Sequence, residues 1–195
     1  MKKGGKFTEI EIQVQIEKTQ KLLAFLKKEA KFCGKLEQID SYFIPAHRNF
    51  TKVRPIKEWL RLRSSSGKHT INYKNWHYDK AGRSHFADEY ELEISDPAKM
   101  KGIFKALDMK PIVTVHKMRE TWVYKDWEIA IDSIKNLGDF VEIEYKGKDK
   151  GKKPTEITQE MVNFLKKLDC GEIKRNYQGY PFQLLFPKEI SHEKM

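Results

Sequence analysis

Residues 8–17 read TEIEIQVQIE, in which Glu9, Glu11, Gln13 and Gln15 alternate with Ile10, Ile12, Val14 and Ile16. Alternate side chains of a β-strand face opposite sides, so the aliphatic residues share one side and the polar residues the other. A half-buried strand needs something polar on its wet side, and that alone accounts for a polar face. On this stretch alone the solvated face is the favoured reading, and the rest of the chain decides whether its two carboxylates, like charges side by side, do more.

The same alternation recurs along the chain. LEQIDSYFIP reads as a strand ended by Pro45, and HRNFTKVRPIKEW as a loop. WLRLRSSSGKHTINYKNW reads as a hairpin turning at Ser65, Ser66 and Gly67. HFADEYELEIS is a further strand, PIVTVHKMRETWVY and WEIAIDSI form a long hairpin around Lys125 and Asp126, and GDFVEIEYKG follows a turn at 136–138. Helical spacing appears in three places. Leu22, Leu23, Leu26 and Ala30 form one stripe, with Gly34 as the stop. Met100, Ile103, Phe104 and Leu107 form the second, behind an Asp96 cap and Pro97. Met161, Leu165 and Leu168 form the third, with Thr158 as cap.

The pattern thus predicts an α+β fold of about eight antiparallel strands and three or four helices. So many strands, nearly all with one polar face, must hide their edges, and closing the sheet into a barrel removes them. A closed β-barrel with flanking helices also gives the polar faces an interior to line. No break is wide enough for two domains, so a single domain is expected over 1–195, with its core at about 7–186 and tails at 1–6 and 187–195.

Composition sets limits on function. With 195 residues, 39% of them hydrophobic, four Trp and eleven Phe, the chain can build a substantial core. A formal net charge of +10 points to an anionic partner. Much of that excess sits in MKKGGK and in the 146–153 segment KGKDKGKK, which read as solvated loops. Cys33 and Cys170 are too few for a disulfide framework and match no zinc spacing, so free thiols in a reducing compartment are expected. No signal peptide or membrane span is predicted, which places the protein in the cytoplasm with no membrane partner.

Placed together, the polar faces segregate by sign. Arg61 with Arg63, Asn72 with Lys74, and Lys117 with Arg119 and Thr121 make basic faces. Glu9 with Glu11, Glu89 with Glu91 and Glu93, and Glu142 with Glu144 make acidic ones, and Asp132 ends an apolar run. A surface shaped only for solubility mixes both signs. Segregation suits a site that holds a polyanion together with its metal ions, because carboxylates bind Mg²⁺ or Mn²⁺ while Arg and Lys take phosphate oxygens. Inside one barrel, Glu9, Glu11 and Glu142 would repel one another unless a cation sat between them.

These residues resemble the CYTH superfamily, the triphosphate tunnel enzymes, and within it the class IV adenylate cyclase branch. EIEIQ stands where the superfamily carries Glu-x-Glu-x-Lys. QIDSYF, HRNF, LRLR, INYK, ELEISDP, VHKMRETWVY and AIDSIKNLGDFVEIE follow in the family's order. The resemblance covers nearly the whole chain and implies an eight-stranded antiparallel barrel forming a tunnel open at both ends. It implies Mg²⁺ or Mn²⁺ at Glu9, Glu11, Glu142 and Glu144, with Glu89 or Glu91 as helpers. It implies a nucleoside or organic triphosphate held by Arg61, Arg63, Lys74, Lys117, Arg119 and Gln13, with Lys117, Arg119 and Asp132 at the reacting phosphate. A homodimer is left open.

Three positions depart from the family. Gln13 replaces the lysine, withholding a positive charge from developing phosphate anion. Ala87 stands where many relatives carry Arg, with Arg83 and His85 as neighbouring candidates to stand in. RNYQGYPFQLLF alters the C-terminal SYxxLL motif with an insertion at Gly179–Pro181. Trp76 and His77 could flank a base, although a Trp at a strand end more often packs the barrel, and the histidines show no ligand spacing. Three functions remain: a cyclase converting ATP to cyclic AMP and pyrophosphate, a triphosphatase acting on thiamine triphosphate or tripolyphosphate, and a binder of nucleotide or polyphosphate without turnover. Nucleic-acid binding rests on charge alone and ranks last.

Overall fold

The computed structural model describes residues 8–147 and 152–195. The elements run β1 (Thr8–Glu9), β2 (Glu11–Ile16), α1 (Thr19–Glu29), β3 (Lys31–Ile44), β4 (Glu58–Ser65), β5 (Lys68–Tyr78), β6 (Ser84–Glu93), α2 (Pro97–Ala106), β7 (Lys110–Tyr124) and β8 (Trp127–Ile134). They continue with β9 (Gly138–Tyr145), α3 (Pro154–Lys167), β10 (Ile173–Arg175), α4 (Gly179–Leu185) and β11 (Glu193–Lys194). MKKGGK and residues 148–151 of the 146–153 lysine segment lie outside the described residues.

Every strand pairing is antiparallel, and from β1 the order runs β6, β5, β4, β3, β7, β8, β9 and β2. Only Ile10 separates β1 from β2, so the circuit begins and ends on one segment, 8–16. Its first residues pair with β6 and the rest with β9, and Tyr145 N–H donates to the Ile10 carbonyl at 2.9 Å. Counted once, that segment and β3 to β9 make a ring of eight strands, with β10 and β11 continuing beyond β2.

The opening alternation now has its two environments. Ile12 and Val14 face outward and are covered by α1 through Leu22 and Leu26 and by α3 through Ile157, Met161, Val162 and Leu165. Each such buried side chain contributes about 1.5–3 kcal/mol. The carboxylates of the same strand therefore face the barrel interior. On another outer face α2 packs Phe104 against Phe43, edge to face at 5.0 Å. At one end of the barrel, Tyr180 and Phe182 of α4 pack with Tyr42, Trp59, Val115, Ile134 and Phe140, narrowing the opening there.

Several local expectations hold. Ser66 and Gly67 take φ of 46° and 79°, the left-handed pair that a two-residue hairpin turn requires. Asp96 caps α2, accepting from Lys99 N–H at 2.9 Å. Others are corrected. Gly34 does not stop α1, which ends at Glu29; it sits within β3 at φ 137°, where the register against β7 shifts as a bulge. Ile103 and Leu107 are exposed, because α2 lies on the sheet along a narrower stripe than its periodicity suggests. Thr158 lies inside α3, its hydroxyl donating to Thr155 O, while the helix is entered at Lys153 and Pro154.

Candidate functional site

The barrel interior encloses a cavity of about 230 Å³. Every charged site residue expected on an inward face lines it except one. Glu9, Glu11 and Gln13 come from β1 and β2, Arg61 and Arg63 from β4, Lys74 from β5, Lys117 and Arg119 from β7, and Glu142 and Glu144 from β9. Glu89 and Glu91 line it from β6. Asp132 is the exception: it is fully buried behind Arg119. A mouth lined by Glu9, Glu89, Glu91, Glu144 and Lys146 and by the side chains of Tyr90, Leu92 and Tyr145 adjoins the cavity.

The basic residues are held by carboxylates. Arg119 donates from Nε to Asp132 Oδ1 at 2.7 Å, and from Nη2 to Asp132 Oδ2 at 2.5 Å and Glu142 Oε1 at 2.7 Å. Arg63 makes a two-pronged contact with Asp40 at 2.7 and 2.8 Å. Arg61 reaches Glu91 at 3.3 Å and lies 3.7 Å from Asp40, and its buried Nε has no hydrogen-bond partner. Lys117 is 3.5 Å from Asp132. Burial, joined by repulsion from Arg119, brings the Lys117 pKa down to about 8.

At the acidic end, Lys74 Nζ forms an ion pair with Glu9 and lies 3.4 Å from Glu11 and 3.7 Å from Glu89. Burial would lower the Lys74 pKa, but Glu11, Glu9 and Glu89 outweigh it and raise it well above the ordinary lysine value. Burial and then the neighbouring carboxylates Glu9, Glu142 and Glu144 push Glu11 well above the usual carboxylate range, against the pull of Lys74. Burial and Glu9 carry Glu144 up to about 7. Glu142 moves the other way: burial opposes ionisation, but Arg119 and Lys117 hold it below the usual range.

These shifts test whether a hard divalent cation fits. Glu9, Glu11, Glu89, Glu142 and Glu144 offer oxygen donors only, the chemistry that Mg²⁺ and Mn²⁺ take. The raised Glu11 and Glu144 mark an end where carboxylates outnumber nearby cations. The donor set fits in kind, although among the described residues no three acidic, His or Cys side chains already converge on one point.

The structure adds residues that the sequence reading left out. Asp40 anchors Arg63, and the alternation of Gln38, Asp40 and Tyr42 carried the signal that could have found it. Tyr42, Trp59 and Glu128 also line the cavity. Trp76 points into it, with Lys74 Nζ 5.6 Å from its ring centroid, whereas His77 faces the other way to Asp88 at 2.7 Å. Ala87 is buried opposite Trp76 and Glu9 in the strand register. Neither Arg83 nor His85 stands in for a basic residue there, since Arg83 pairs with Glu193 and His85 Nδ1 meets Thr158 Oγ1 at 2.9 Å. Tyr180, from the inserted segment, had no legible signal.

An eight-stranded ring whose interior carries opposed acidic and basic faces defines a triphosphate-tunnel protein. The chain belongs to the CYTH domain family, which matches residues 7–177. It is 35% identical over 173 residues to the Methanocaldococcus jannaschii protein named "Putative adenylate cyclase MJ0240", covering 87% of this chain and 95% of that one. Among solved structures it is similar to the PH1819 protein of Pyrococcus horikoshii, with TM-score 0.74, 26% identity, and coverage of 93% of this chain and 99% of that one. The Hippeastrum protein HpAC1, described as a "putative adenylyl cyclase" with a dominant triphosphatase activity, shares the fold at TM-score 0.62 and 18% identity, over 92% of this chain and 95% of that one. Among the described residues no helix is long and apolar enough to cross a membrane.

Proposed function

We propose that the protein is a metal-dependent enzyme acting on a nucleoside or organic triphosphate inside the barrel, most closely an adenylate cyclase forming cyclic AMP and pyrophosphate from ATP. The observation that carries this reading is the convergence of Arg61, Arg63, Lys117 and Arg119 on one cavity whose opposite end is lined by carboxylates. Four cations in a water-poor space are placed to bind a polyanion and to favour the charge that grows on the leaving pyrophosphate.

In this reading the guanidinium groups of Arg61, Arg63 and Arg119 orient the triphosphate oxygens, and Asp40 and Asp132 fix the first two and the last of them from behind. Lys117 donates to a non-bridging oxygen. The 3′-hydroxyl attacks the α-phosphorus and gives its proton to solvent, the bond from the α-phosphorus to the α–β bridging oxygen breaks, and pyrophosphate leaves. Glu9, Glu11, Glu142 and Glu144 would hold Mg²⁺ or Mn²⁺, which would lower the pKa of the nucleophile and offset charge on the leaving group. Trp76, which lines the cavity, flanks the base, and the whole chain acts as one domain.

A second reading has a specific observation in its favour. Gln13 puts a neutral amide where the family carries lysine, and this favours slow turnover or binding alone. Incubation with ATP and Mn²⁺, scored for cyclic AMP and for free phosphate, tests the assignment. Cyclic AMP supports the cyclase, free phosphate moves the reading to a triphosphatase, and no product with retained binding moves it to a binder. Absence of thermal stabilisation by ATP, thiamine triphosphate and tripolyphosphate, each with Mn²⁺, overturns all three.

A further inference from the structure

Lys74 differs from the other cations of the cavity in what it is paired with. Arg63 is held by Asp40, Lys117 by Asp132, and Arg119 by Asp132 and Glu142, while Arg61 reaches Glu91 and Lys146 reaches Glu144, so each of these touches at most one carboxylate of the acidic end. Among the described residues Lys74 alone forms ion pairs with Glu9 and Glu11, and Glu89 completes a third side. Its side chain is only 16% exposed, so little water shares the task of balancing those charges. The ammonium leaves the middle of β5, where Lys74 is flanked in register by Trp59 and Glu89. A lysine head is a compact point charge on a flexible four-carbon stem, able to change partner by rotating about side-chain bonds. Arg63 and Arg119, clamped by two-pronged contacts, lack that freedom.

We propose that the Lys74 ammonium is a built-in counter-ion that occupies the carboxylate end in place of a divalent cation, and that cation binding hands it over to the triphosphate. The inference rests on the function proposed above and concerns how its two ligands are coupled. A cation at Glu9 and Glu11 repels the ammonium and takes its partners, and a triphosphate lying along the arginines offers it new ones. Each ligand therefore favours the other through Lys74, and the effect is reciprocal because it is a single coupling free energy. Without triphosphate, the carboxylates bind metal less readily because their own lysine already offsets part of their charge.

The test measures Mn²⁺ binding with no phosphate present, by loss of the free-ion electron paramagnetic resonance signal, on wild type, Lys74→Met, Lys74→Gln and Lys74→Arg in mildly alkaline buffer. Removal of the internal competitor is expected to tighten Mn²⁺ by about tenfold or more in the Met and Gln variants, within the usual range of such couplings, while Arg retains wild-type affinity. Circular dichroism melts identify folded variants, and Gln carries the test if Met does not fold. Equal or weaker Mn²⁺ binding in folded Met and Gln variants overturns the inference alone, provided the wild type is stabilised by Mn²⁺ with tripolyphosphate. A wild type that gains no stability from that pair overturns the proposed function and this inference with it.

Discussion

The Tyr180 hydroxyl donates to Asp132 Oδ2 at 2.9 Å, tying α4 to the floor of the cavity beneath Arg119. Asp132 is fully buried and so needs every donor it receives, and among the described residues Tyr180 is the one that does not come from the barrel wall. The same ring packs edge to face on Phe140 at 5.0 Å and lies 5.4 Å from Lys117 Nζ. The inserted Gly179–Pro181 segment delivers this tyrosine.

Tyr180→Phe keeps the ring and its packing but removes the donor. A hydrogen bond to a charged group contributes about 1.5–3 kcal/mol, and Arg119 continues to satisfy part of Asp132, so the expected loss is at the lower end of that range. Urea denaturation measures it. Unchanged stability would show that Arg119 and Lys117 suffice for Asp132.

Stability without ligand should dip near neutral pH. Glu144, raised to about 7 by burial and Glu9, keeps its proton in the folded state while the unfolded chain loses it. Stability therefore falls as pH rises from about 4.5 to 7, by an amount on the order of 2 kcal/mol, with Glu11 adding in the same direction. Lys117, lowered to about 8, has the opposite sign: the unfolded chain holds the extra proton between about 8 and 10.5, so stability recovers there. Melting temperatures across pH 5–10 should trace this minimum, and saturating Mn²⁺ should fill it in. A monotonic rise from pH 5 to 8 would contradict the burial of Glu144.

Much of this site was legible because period-two alternation assigns a side to every residue of a strand. Once Ile12 and Val14 are placed under α1 and α3, Glu11 and Gln13 must face inward, and the same step places Arg61, Arg63, Lys74, Arg119 and Glu142. Asp40 obeys that rule too, but standing alone among neutral residues on its face it shows no sign pattern. Ion-pair partners were not legible, since a sign pattern says which charges share an interior but not that Lys74 takes Glu9 while Arg119 takes Glu142. Tyr180 and the plug around Phe182 depend on how a short C-terminal helix folds back, and no periodicity records that.

Glu142→Ala should abolish the Mn²⁺-dependent rise in melting temperature with tripolyphosphate, and Glu9→Ala should do the same. Glu172→Ala should leave it intact, because Glu172 accepts from Lys194 at 2.6 Å and Lys174 at 3.0 Å away from the cavity. Differential scanning fluorimetry with and without chelator reads all three. Wild-type metal response in both barrel variants would return the Glu9 and Glu142 faces to a purely structural role.

Gln13 offers the sharpest test of chemistry. It is buried at 9% exposure, faces Glu142 across the strand pair, and accepts from Gln183 Nε2 of α4 at 3.5 Å. The amide at 13 and the C-terminal segment thus meet in one contact. A lysine at 13 would put its ammonium beside Glu142 and Glu11, and Gln183 could turn its amide to present another atom. If positive charge there stabilises the phosphate in the transition state, Gln13→Lys raises kcat more than it changes KM. A gain of about tenfold corresponds to about 1.4 kcal/mol of recovered stabilisation. Initial rates for wild type and variant, with ATP and Mn²⁺ and both cyclic AMP and phosphate scored, give the answer. A slower lysine variant would mean that the site has been rebuilt around the Gln13–Gln183 contact, with the remaining cations carrying the charge that the family assigns to lysine.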